Sequence, residues 1–308
     1  MNQPLHDVII IGGGPAGLTA GIYTGREDLS TLILEKSVAG GWPNLSGRIE
    51  NFPGFPEGIE GMELAGRFKA QALRFGAEIR EFEEVLKAGP AGDGFEVETP
   101  KGRYRGRCLI AAPGSRIRQL GVPGERELIG RGVSYCATCD GPLYREKEVA
   151  VIGGGNAALA EALFLTRFAS RVHLVHRRDR FRGEKYLVGE LEKTGKVSFA
   201  LERVPVSING ERGVESLTVK NLPDGREEEI AVSGVFIFVG VDPNTGFLRG
   251  VVELDEAGYV LTGPATETSV AGIFAAGDCR SGNLRQISAA CGEGTAAALG
   301  VRGLLVEY

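Results

Sequence analysis

Two short apolar runs, each ending abruptly in glycines, dominate the hydrophobic pattern of this chain. Val-Ile-Ile-Ile at residues 8–11 precedes Gly-Gly-Gly-Pro-Ala-Gly at 12–17, the first glycine turn. Val-Ala-Val-Ile at 149–152 precedes Gly-Gly-Gly-Asn-Ala-Ala at 153–158, the second glycine turn. Each apolar run predicts a buried strand, and the Ala/Leu-rich stretch after each turn predicts a helix. The copies are offset by 153 − 12 = 141 residues, so the sequence predicts two similar folds.

A strand, a glycine turn and a helix in this order are typical of dinucleotide-binding sites. The first glycine makes the turn, the second lets the backbone approach a pyrophosphate, and the third position must be small so that helix and strand pack. The helix N-terminus then presents unpaired N–H groups to the phosphates. Glycine turns also occur for structural reasons alone, but two copies in the same context favour binding. The candidate residues are Gly12, Gly14, Pro15, Ala16 and Gly17 in the first turn, and Gly153, Gly155, Asn156 and Ala157 in the second.

The two copies differ at the end of the strand that follows each helix. The stretch Thr-Leu-Ile-Leu at 31–34 ends at Glu35, whose carboxylate can accept hydrogen bonds from a ribose diol. The corresponding stretch in copy two has no acid and ends in a basic cluster, in which arginines can clamp a 2′-phosphate. Copy one therefore favours an unphosphorylated adenosine ribose, as in FAD, and copy two favours NADPH, although a solvated strand end and a solvated basic face are the simpler alternatives. The candidate residues of the cluster are His176, Arg177, Arg178 and Arg182.

Composition narrows the class of protein. The 308 residues carry 35 basic and 40 acidic side chains, a net charge of −5, which argues against nucleic-acid binding. No apolar run reaches the roughly 18 residues of a membrane span. Five cysteines are too few for a secreted disulfide scaffold, so a reducing cytoplasm is the predicted compartment.

A Cys-x-x-Cys pair followed by an acid is the strongest chemical signal. Cys136 and Cys139 can close a small reactive disulfide, in which one thiolate attacks a partner disulfide and the other resolves the intermediate. Asp140 can hold or deliver the proton that this chemistry needs. No histidine lies in the C-terminal third, which leaves Asp140 as the candidate proton carrier. A zinc ribbon needs two close-spaced cysteine pairs, so no metal site is predicted, and Cys108 is predicted to be a buried packing residue.

These motifs together resemble the low-molecular-weight bacterial thioredoxin reductases over nearly the whole chain. The resemblance rests on both glycine turns and on further motifs: Glu-Asn-Phe-Pro-Gly at 50–54, Cys-Ala-Thr-Cys-Asp at 136–140, His-Arg-Arg at 176–178 and Gly-Asp at 277–278. It implies an α/β fold of two Rossmann-like three-layer domains, the second inserted in the first. The FAD-binding domain would be 1–116 with 246–308, and the NADPH-binding domain, carrying the redox disulfide, 117–245.

The resemblance also implies roles for particular residues and partners. Electrons would pass from NADPH through FAD and the disulfide to thioredoxin, in a homodimer. Cys139 would be the thiol nearer the flavin, Cys136 the one that attacks the partner, and Asp140 the acid–base group. Further FAD-binding residues would be Glu35, Gly40, Gly41, Asn51, Val85, Gly277, Asp278, Arg285, Gln286 and Ile287.

Four positions depart from the family pattern. Trp42 stands where glutamine is usual, Pro113 where threonine is usual, and Ala160 where glutamate is common, while Tyr308 is the last residue. Trp42 either packs near the flavin or fills a surface. The departures motivate a second hypothesis, a flavin-dependent thioredoxin reductase with another electron donor such as ferredoxin. A third hypothesis is a non-catalytic redox sensor. The Cys-x-x-Cys pair and Asp140 argue against it, because a sensor does not need an acid beside its disulfide.

Overall fold

The computed structural model describes residues 4–46 and 48–306, which form two compact units. Unit 1 contains the described residues of 1–116 and 242–308, and unit 2 contains residues 117–241. The strands, in chain order, are β1 (Leu5–Ile11), β2 (Thr31–Leu34), β3 (Arg48–Ile49), β4 (Ile59–Glu60), β5 (Glu78–Arg80), β6 (Lys87–Ala91), β7 (Gly94–Thr99), β8 (Gly102–Ala111), β9 (Ser115–Ile117), β10 (Val133–Ser134), β11 (Glu148–Ile152), β12 (Arg171–His176), β13 (Val197–Leu201), β14 (Arg203–Asn209), β15 (Ser216–Asn221), β16 (Glu227–Ala231), β17 (Gly234–Ile237), β18 (Val241–Pro243) and β19 (Ile273–Ala275). The helices are α1 (Pro15–Arg26), α2 (Gly61–Arg74), α3 (Ala137–Asp140), α4 (Asn156–Leu165), α5 (Lys185–Lys193) and α6 (Ile287–Leu305), with 3-10 turns at Trp42–Leu45, Gly141–Tyr144 and Gly246–Leu248.

Unit 1 is built on a seven-stranded sheet in the order β5-β2-β1-β8-β7-β6, with β19 also paired to β8. The pairs β1–β2, β1–β8, β2–β5 and β8–β19 are parallel, whereas β7 and β6 join as antiparallel neighbours. Successive residues of β1 point to opposite faces, so Ile10 packs among α1 and α6 while Ile9 packs against the other side of the sheet. Both side chains are fully buried, and truncating either to alanine would cost about 2–5 kcal/mol.

Unit 2 is built on a five-stranded, wholly parallel sheet in the order β10-β17-β11-β12-β13. One face packs against α4 and α5 through residues such as Val151 and Leu174. The other face packs against an antiparallel sheet, β14-β15-β16, through residues such as Ile152 and Leu217. Burial on both faces explains why β11 reads as a continuous apolar run, and the three layers follow from it.

The fold class predicted from the sequence is confirmed, because each glycine turn follows a strand with parallel neighbours on both sides and opens a helix. Ile11 ends β1 before the first turn, and Ile152 ends β11 before the second. Within the described ranges, no helix is long and apolar enough to cross a membrane.

Candidate functional site

The first glycine turn leaves no room for side chains where it passes between β1 and α1. Gly12 has a φ of +106°, and a Cβ there would overlap the carbonyl oxygen of Ala112 on the neighbouring strand's end. A Cβ at Gly17 would overlap the carbonyl oxygen of Gly12. At Gly14, by contrast, the nearest atom to an added Cβ is the Cα of Gly41, 3.9 Å away. The turn is therefore close-packed on the side of Gly12 and Gly17 and open on the side of Gly14, which is called the open side of the turn, or the space above it.

Glu35 follows β2 directly and is buried, with 7% of its surface exposed. One carboxylate oxygen accepts a hydrogen bond of 2.7 Å from the N–H of Gly13, and the other accepts from the N–H and the hydroxyl of Ser37 at 2.9 and 3.0 Å. A carboxylate has about four lone-pair sites, so Glu35 retains the capacity to accept from further hydroxyls.

Other predicted FAD-binding segments converge on the same turn. The N–H of Gly40 donates to the carbonyl of Gly13 at 2.7 Å, which brings residues 40–41 beside the turn. Gly277 lies against α1, since a Cβ there would sit 3.1 Å from the Cβ of Ala16. The amide of Asn51 donates to the side-chain oxygen of Gln286, at 3.2 Å, where Gln286 precedes α6.

The residues present fit a bound dinucleotide at this place. Helix α1 begins after Gly14 without a side-chain hydrogen bond at its cap, and Pro15, its first residue, has no N–H, so the N–H groups that follow Pro15 are the ones available to a ligand. Backbone N–H groups at a helix N-terminus are suited to a pyrophosphate. Glu35 lies at the end of the adjacent strand, where a ribose would follow.

On the predicted flavin side of this site, Ser115 and Glu293, which the sequence did not single out, contact the predicted residues Asp278 and Gly277. Asp278 is half-buried, and its carboxylate accepts a hydrogen bond of 3.5 Å from the hydroxyl of Ser115. Burial raises the pKa of the Asp278 carboxyl, although the positive charge of Arg285 opposes the shift. Glu293 on α6 accepts a hydrogen bond of 2.7 Å from the N–H of Gly277 and so fixes the Gly-Asp turn.

Trp42 takes part in the same region. Its indole N–H donates to the carbonyl of Ser115 at 3.2 Å, and the ring is half-buried. The contact joins the 3-10 turn at Trp42–Leu45 to β9. The sequence marked Trp42 as unusual for the family but did not predict this contact. Among the other predicted positions, Val85 is half-buried in the apolar cluster on the second face of the sheet, and Ile287 is the first residue of α6. Arg285 donates to the hydroxyl of Tyr259 at 3.0 Å.

The second glycine turn repeats the first within unit 2. Gly153 has a φ of +153°, and a Cβ there would lie 2.6 Å from the carbonyl oxygen of Phe238. Gly155 meets nothing within 4 Å of an added Cβ, and α4 begins after it without a side-chain cap. This turn is also close-packed below and open above, which fits a second dinucleotide.

His176 occupies the place in copy two that Glu35 occupies in copy one, because 35 + 141 = 176. Its ring lies against Gly154, where a Cβ would overlap it, and stacks on Phe181 with ring centroids 5.5 Å apart. Burial, followed by the positive charges of Arg182 and its neighbours, lowers the pKa of His176 below 6.5, so the ring is neutral at physiological pH.

The basic cluster lies over the second glycine turn. The N–H of Arg182 donates to the carbonyl of Gly154 at 2.8 Å, while the side chains of Arg177, Arg178 and Arg182 are exposed. Asn156 and Ala157 start α4 and are exposed. The Asn156 side chain accepts from the N–H of Glu184 at 2.7 Å, which ties α4 to the start of α5.

Cys136 and Cys139 form a disulfide in unit 2, with their Cα atoms 5.3 Å apart. Cys136 is the N-cap of α3, and the N–H of Cys139 points to its sulfur at 3.1 Å. Asp140 ends this helix and is half-buried, and its burial raises the pKa of its carboxyl above 3.8. An acid of raised pKa beside a disulfide is suited to exchange a proton with a thiolate.

Ser134 is a residue of this site that the sequence did not single out. Its hydroxyl donates to Asp140 Oδ2 at 2.6 Å and accepts from the N–H of Cys136 at 3.1 Å. Serine two positions before a cysteine carries no recognisable signal, because the contact depends on the fold of α3 back toward β10.

Cys108 and the family departures Pro113 and Ala160 lie in ordinary packing surroundings. Cys108 is buried, as predicted, and burial raises the pKa of its thiol to about 11. The carbonyl of Pro113 accepts from the side chain of Asn244 at 3.0 Å, and Ala160 is exposed on α4. Tyr308 lies outside the described residues.

Comparison with known proteins agrees with this geometry. The model of the pyridine nucleotide-disulphide oxidoreductase family matches residues 6–294. A thioredoxin reductase of Mycolicibacterium smegmatis is 43% identical over 307 residues, covering 99% of this chain and 98% of the relative. A bifunctional thioredoxin reductase/thioredoxin of Mycobacterium leprae is 44% identical over 311 residues, covering 100% of this chain and 67% of the relative. The crystal structure of thioredoxin reductase from Streptococcus pyogenes MGAS5005 superposes with a TM-score of 0.95 at 39% identity, covering 100% of both chains.

Proposed function

Because this chain belongs to the pyridine nucleotide-disulphide oxidoreductase family and is a thioredoxin reductase, we propose that it reduces the disulfide of thioredoxin with electrons from NADPH, using FAD and the Cys136–Cys139 disulfide. The observation that carries the proposal is the bonded Cys136–Cys139 pair beside the half-buried acid Asp140, in the unit that holds the second glycine turn. Flavin and nicotinamide supply hydride transfer when bound, and the protein supplies their binding and orientation.

Unit 1 is the proposed FAD-binding domain. The support is the open space above Gly14, the uncapped start of α1, and Glu35 at the end of β2. Asn51 and Gln286, which contact each other, would complete the flavin side together with Asp278. Unit 2 is the proposed NADPH-binding domain.

NADPH rather than NADH is favoured by the surroundings of the second glycine turn. His176 replaces the acid of copy one, so the last side chain of β12 does not repel a 2′-phosphate. Arg177, Arg178 and Arg182 present exposed guanidinium groups close by, and guanidinium groups bind phosphate bidentately.

The thiol chemistry follows from residues 136–140. In the reduced protein, the Cys136 thiolate would attack the thioredoxin disulfide, forming a mixed disulfide and releasing one thioredoxin thiolate, which takes up a proton. Cys139 would then attack Cys136, re-forming the internal disulfide and releasing the second thioredoxin thiol. Asp140 would supply and recover protons during these steps.

Thioredoxin as the partner is supported by the relatives' names, among them the M. leprae chain whose name joins both activities. We also propose a homodimer, on family resemblance, which light scattering of the purified holoenzyme would test. The cytoplasmic location predicted from cysteine usage stays a prediction.

The test is to mix oxidised, FAD-loaded protein with NADPH without oxygen and follow the flavin absorbance, then add oxidised thioredoxin. We expect fast bleaching by NADPH, slow bleaching by NADH, and recovery of the absorbance when thioredoxin is added. A Cys136→Ser variant should still bleach with NADPH but should not reduce thioredoxin.

Other outcomes separate the hypotheses. If neither nucleotide bleaches a flavin that dithionite still reduces, the donor is another molecule, and reduced ferredoxin becomes the candidate. If NADPH bleaches the flavin but no thioredoxin is reduced, thioredoxin reduction is refuted.

A further inference from the structure

Ser134 occupies a fixed position between the central sheet of unit 2 and the redox disulfide. It is the last residue of β10, where it pairs with Phe236 of β17, and only 4% of its surface is exposed. A side chain held by a buried strand has little freedom, so its hydroxyl is a rigid reference point for α3.

The Ser134 hydroxyl has three neighbours and only one proton to donate. It accepts from the N–H of Cys136 at 3.1 Å, which leaves Asp140 Oδ2 at 2.6 Å and the carbonyl of Cys136 at 3.3 Å as competing acceptors. The shorter distance is that of a hydroxyl donating to an ionised carboxylate, about 2.5–2.7 Å. The hydroxyl therefore stabilises the ionised form of Asp140 and, when Asp140 is protonated, has a second acceptor in Cys136.

Few other charges face Asp140 from the elements around it. Tyr144, on the 3-10 turn that follows α3, interacts with it electrostatically, but burial raises the pKa of Tyr144 to about 12, so the phenol stays neutral. The ammonium of Lys147 lies 5.6 Å from the centroid of the Tyr144 ring. Glu161 on the adjacent α4 has its pKa raised by burial alone. The shift in the pKa of Asp140 is accounted for by burial, which raises it, and by Ser134, which lowers it.

We propose that Ser134 is a positioning residue that orients the Asp140 carboxyl, anchors the backbone of Cys136, and thereby sets the pH range in which Asp140 exchanges a proton with the thiols. The inference rests on the proposed function for the role of Asp140. It adds a residue that takes no part in thiol exchange itself.

The test compares Ser134→Ala, which removes the hydroxyl, with Ser134→Thr, which keeps it. Ser216→Ala is the matched control, because Ser216 is also a buried hydroxyl of unit 2 bonded to a carboxylate, that of Glu229. The pH dependence of kcat and of KM for thioredoxin is measured for each holoenzyme. The Asp140 limb is the part of the pH profile of kcat that disappears in Asp140→Asn.

Removing the hydroxyl should move the Asp140 limb to higher pH by about one to two units, because a hydrogen bond to the charged form is lost. The effect should fall on kcat with little change in KM. Ser134→Thr should restore the original limb, and Ser216→Ala should leave it in place. An unshifted limb in Ser134→Ala, or an equal shift in Ser216→Ala, would overturn the inference.

A second measurement keeps the inference independent of the proposed activity. Infrared titration of the oxidised holoenzyme follows the protonation of carboxyl groups, and the band lost in Asp140→Asn identifies Asp140. If the wild type fails to reduce thioredoxin, the proposed function fails, but the titration still decides whether Ser134 lowers the pKa of Asp140. If Ser134→Ala does not fold, Ser134→Val serves in its place, because valine lacks the hydroxyl, has the shape of threonine and suits a strand, and the same upward shift is required.

Discussion

The Glu35 carboxylate accepts a hydrogen bond of 2.7 Å from the backbone N–H of Gly13, which joins the end of β2 to the first glycine turn. The acid therefore has a structural role before any ligand binds, because it satisfies a donor of the turn. Its second oxygen also accepts from Ser37, so the side chain is held in one orientation. A fixed carboxylate beside an open glycine turn is suited to hold a ribose diol at low entropic cost.

Replacing Glu35 should weaken FAD binding. We expect Glu35→Ala to raise the FAD dissociation constant roughly 10- to 100-fold, the effect of losing hydrogen bonds to a charged acceptor. Equilibrium dialysis followed by flavin absorbance measures it. Glu35→Gln keeps an acceptor for Gly13 and should lose less, whereas exposed Glu84→Ala is the control and should lose nothing. Full FAD retention in Glu35→Ala would refute the assignment.

The internal repeat shows how far sequence reasoning reaches in this chain. The 141-residue offset depends on local rules for glycines and apolar strands, so the sequence alone predicts two similar dinucleotide-binding folds and contrasts Glu35 with the basic cluster that follows the corresponding strand of copy two. Ser134 and Glu293 could not be found in that way. Ser134 lies six residues from Asp140 in the sequence, and Glu293 lies sixteen residues from Gly277. Contacts between residues at these separations are set by tertiary packing.

The departures at Trp42 and Pro113 also show that sequence reasoning does not predict tertiary contacts. The sequence marked both as unusual, but it could not tell that the Trp42 indole donates to Ser115 or that the Pro113 carbonyl accepts from Asn244. A difference from a family pattern identifies a position, whereas its consequence depends on neighbours that are distant in the chain.

Asp140→Asn should make the protein more stable at neutral pH and less active. Burial raises the folded-state pKa of Asp140 above 3.8, its ordinary value. Between the ordinary pKa and the folded-state pKa, the folded protein therefore binds more protons than the unfolded chain. The free energy of unfolding of the wild type therefore falls as pH rises from about 3.8 through the folded-state pKa, and the penalty remains above it. Asparagine carries no charge and avoids that penalty.

Thermal unfolding of the oxidised holoenzyme at several pH values measures the effect. The melting temperature of Asp140→Asn should exceed that of the wild type at pH 7, by about 2–4 °C for each kcal/mol gained, and the difference should disappear as the pH approaches 4. Thioredoxin reduction should fall about 100-fold or more, the usual contribution of a general acid. A variant that is less stable at pH 7 would contradict the burial argument.

The double change Arg177→Ala and Arg178→Ala should act on NADPH and spare NADH. We expect kcat/KM for NADPH to fall roughly 10- to 100-fold, since charge-assisted hydrogen bonds to a phosphate are lost. Steady-state rates with NADPH and with NADH measure how much kcat/KM falls for each nucleotide. Arg171→Ala is the control, because Arg171 is an exposed arginine at the opposite end of β12. Equal losses with both nucleotides would mean that the cluster does not read the 2′-phosphate.

His176→Glu should reverse the nucleotide preference by making copy two resemble copy one. Glu35 shows that a carboxylate fits beside a glycine turn in this fold, accepting from Gly13, and Gly154 offers the same N–H position in copy two. A glutamate there would accept from the 2′- and 3′-hydroxyls of NADH and repel the 2′-phosphate of NADPH. We expect the ratio of kcat/KM for NADPH to that for NADH to fall by about 100-fold, with thioredoxin reduction otherwise supported by NADH. His176→Gln separates charge from shape, because it can accept from a ribose without repelling a phosphate, and it should change the ratio far less. If glutamate and glutamine shift the ratio equally, the charge at this strand end does not choose the nucleotide, and the discrimination lies in the arginines alone.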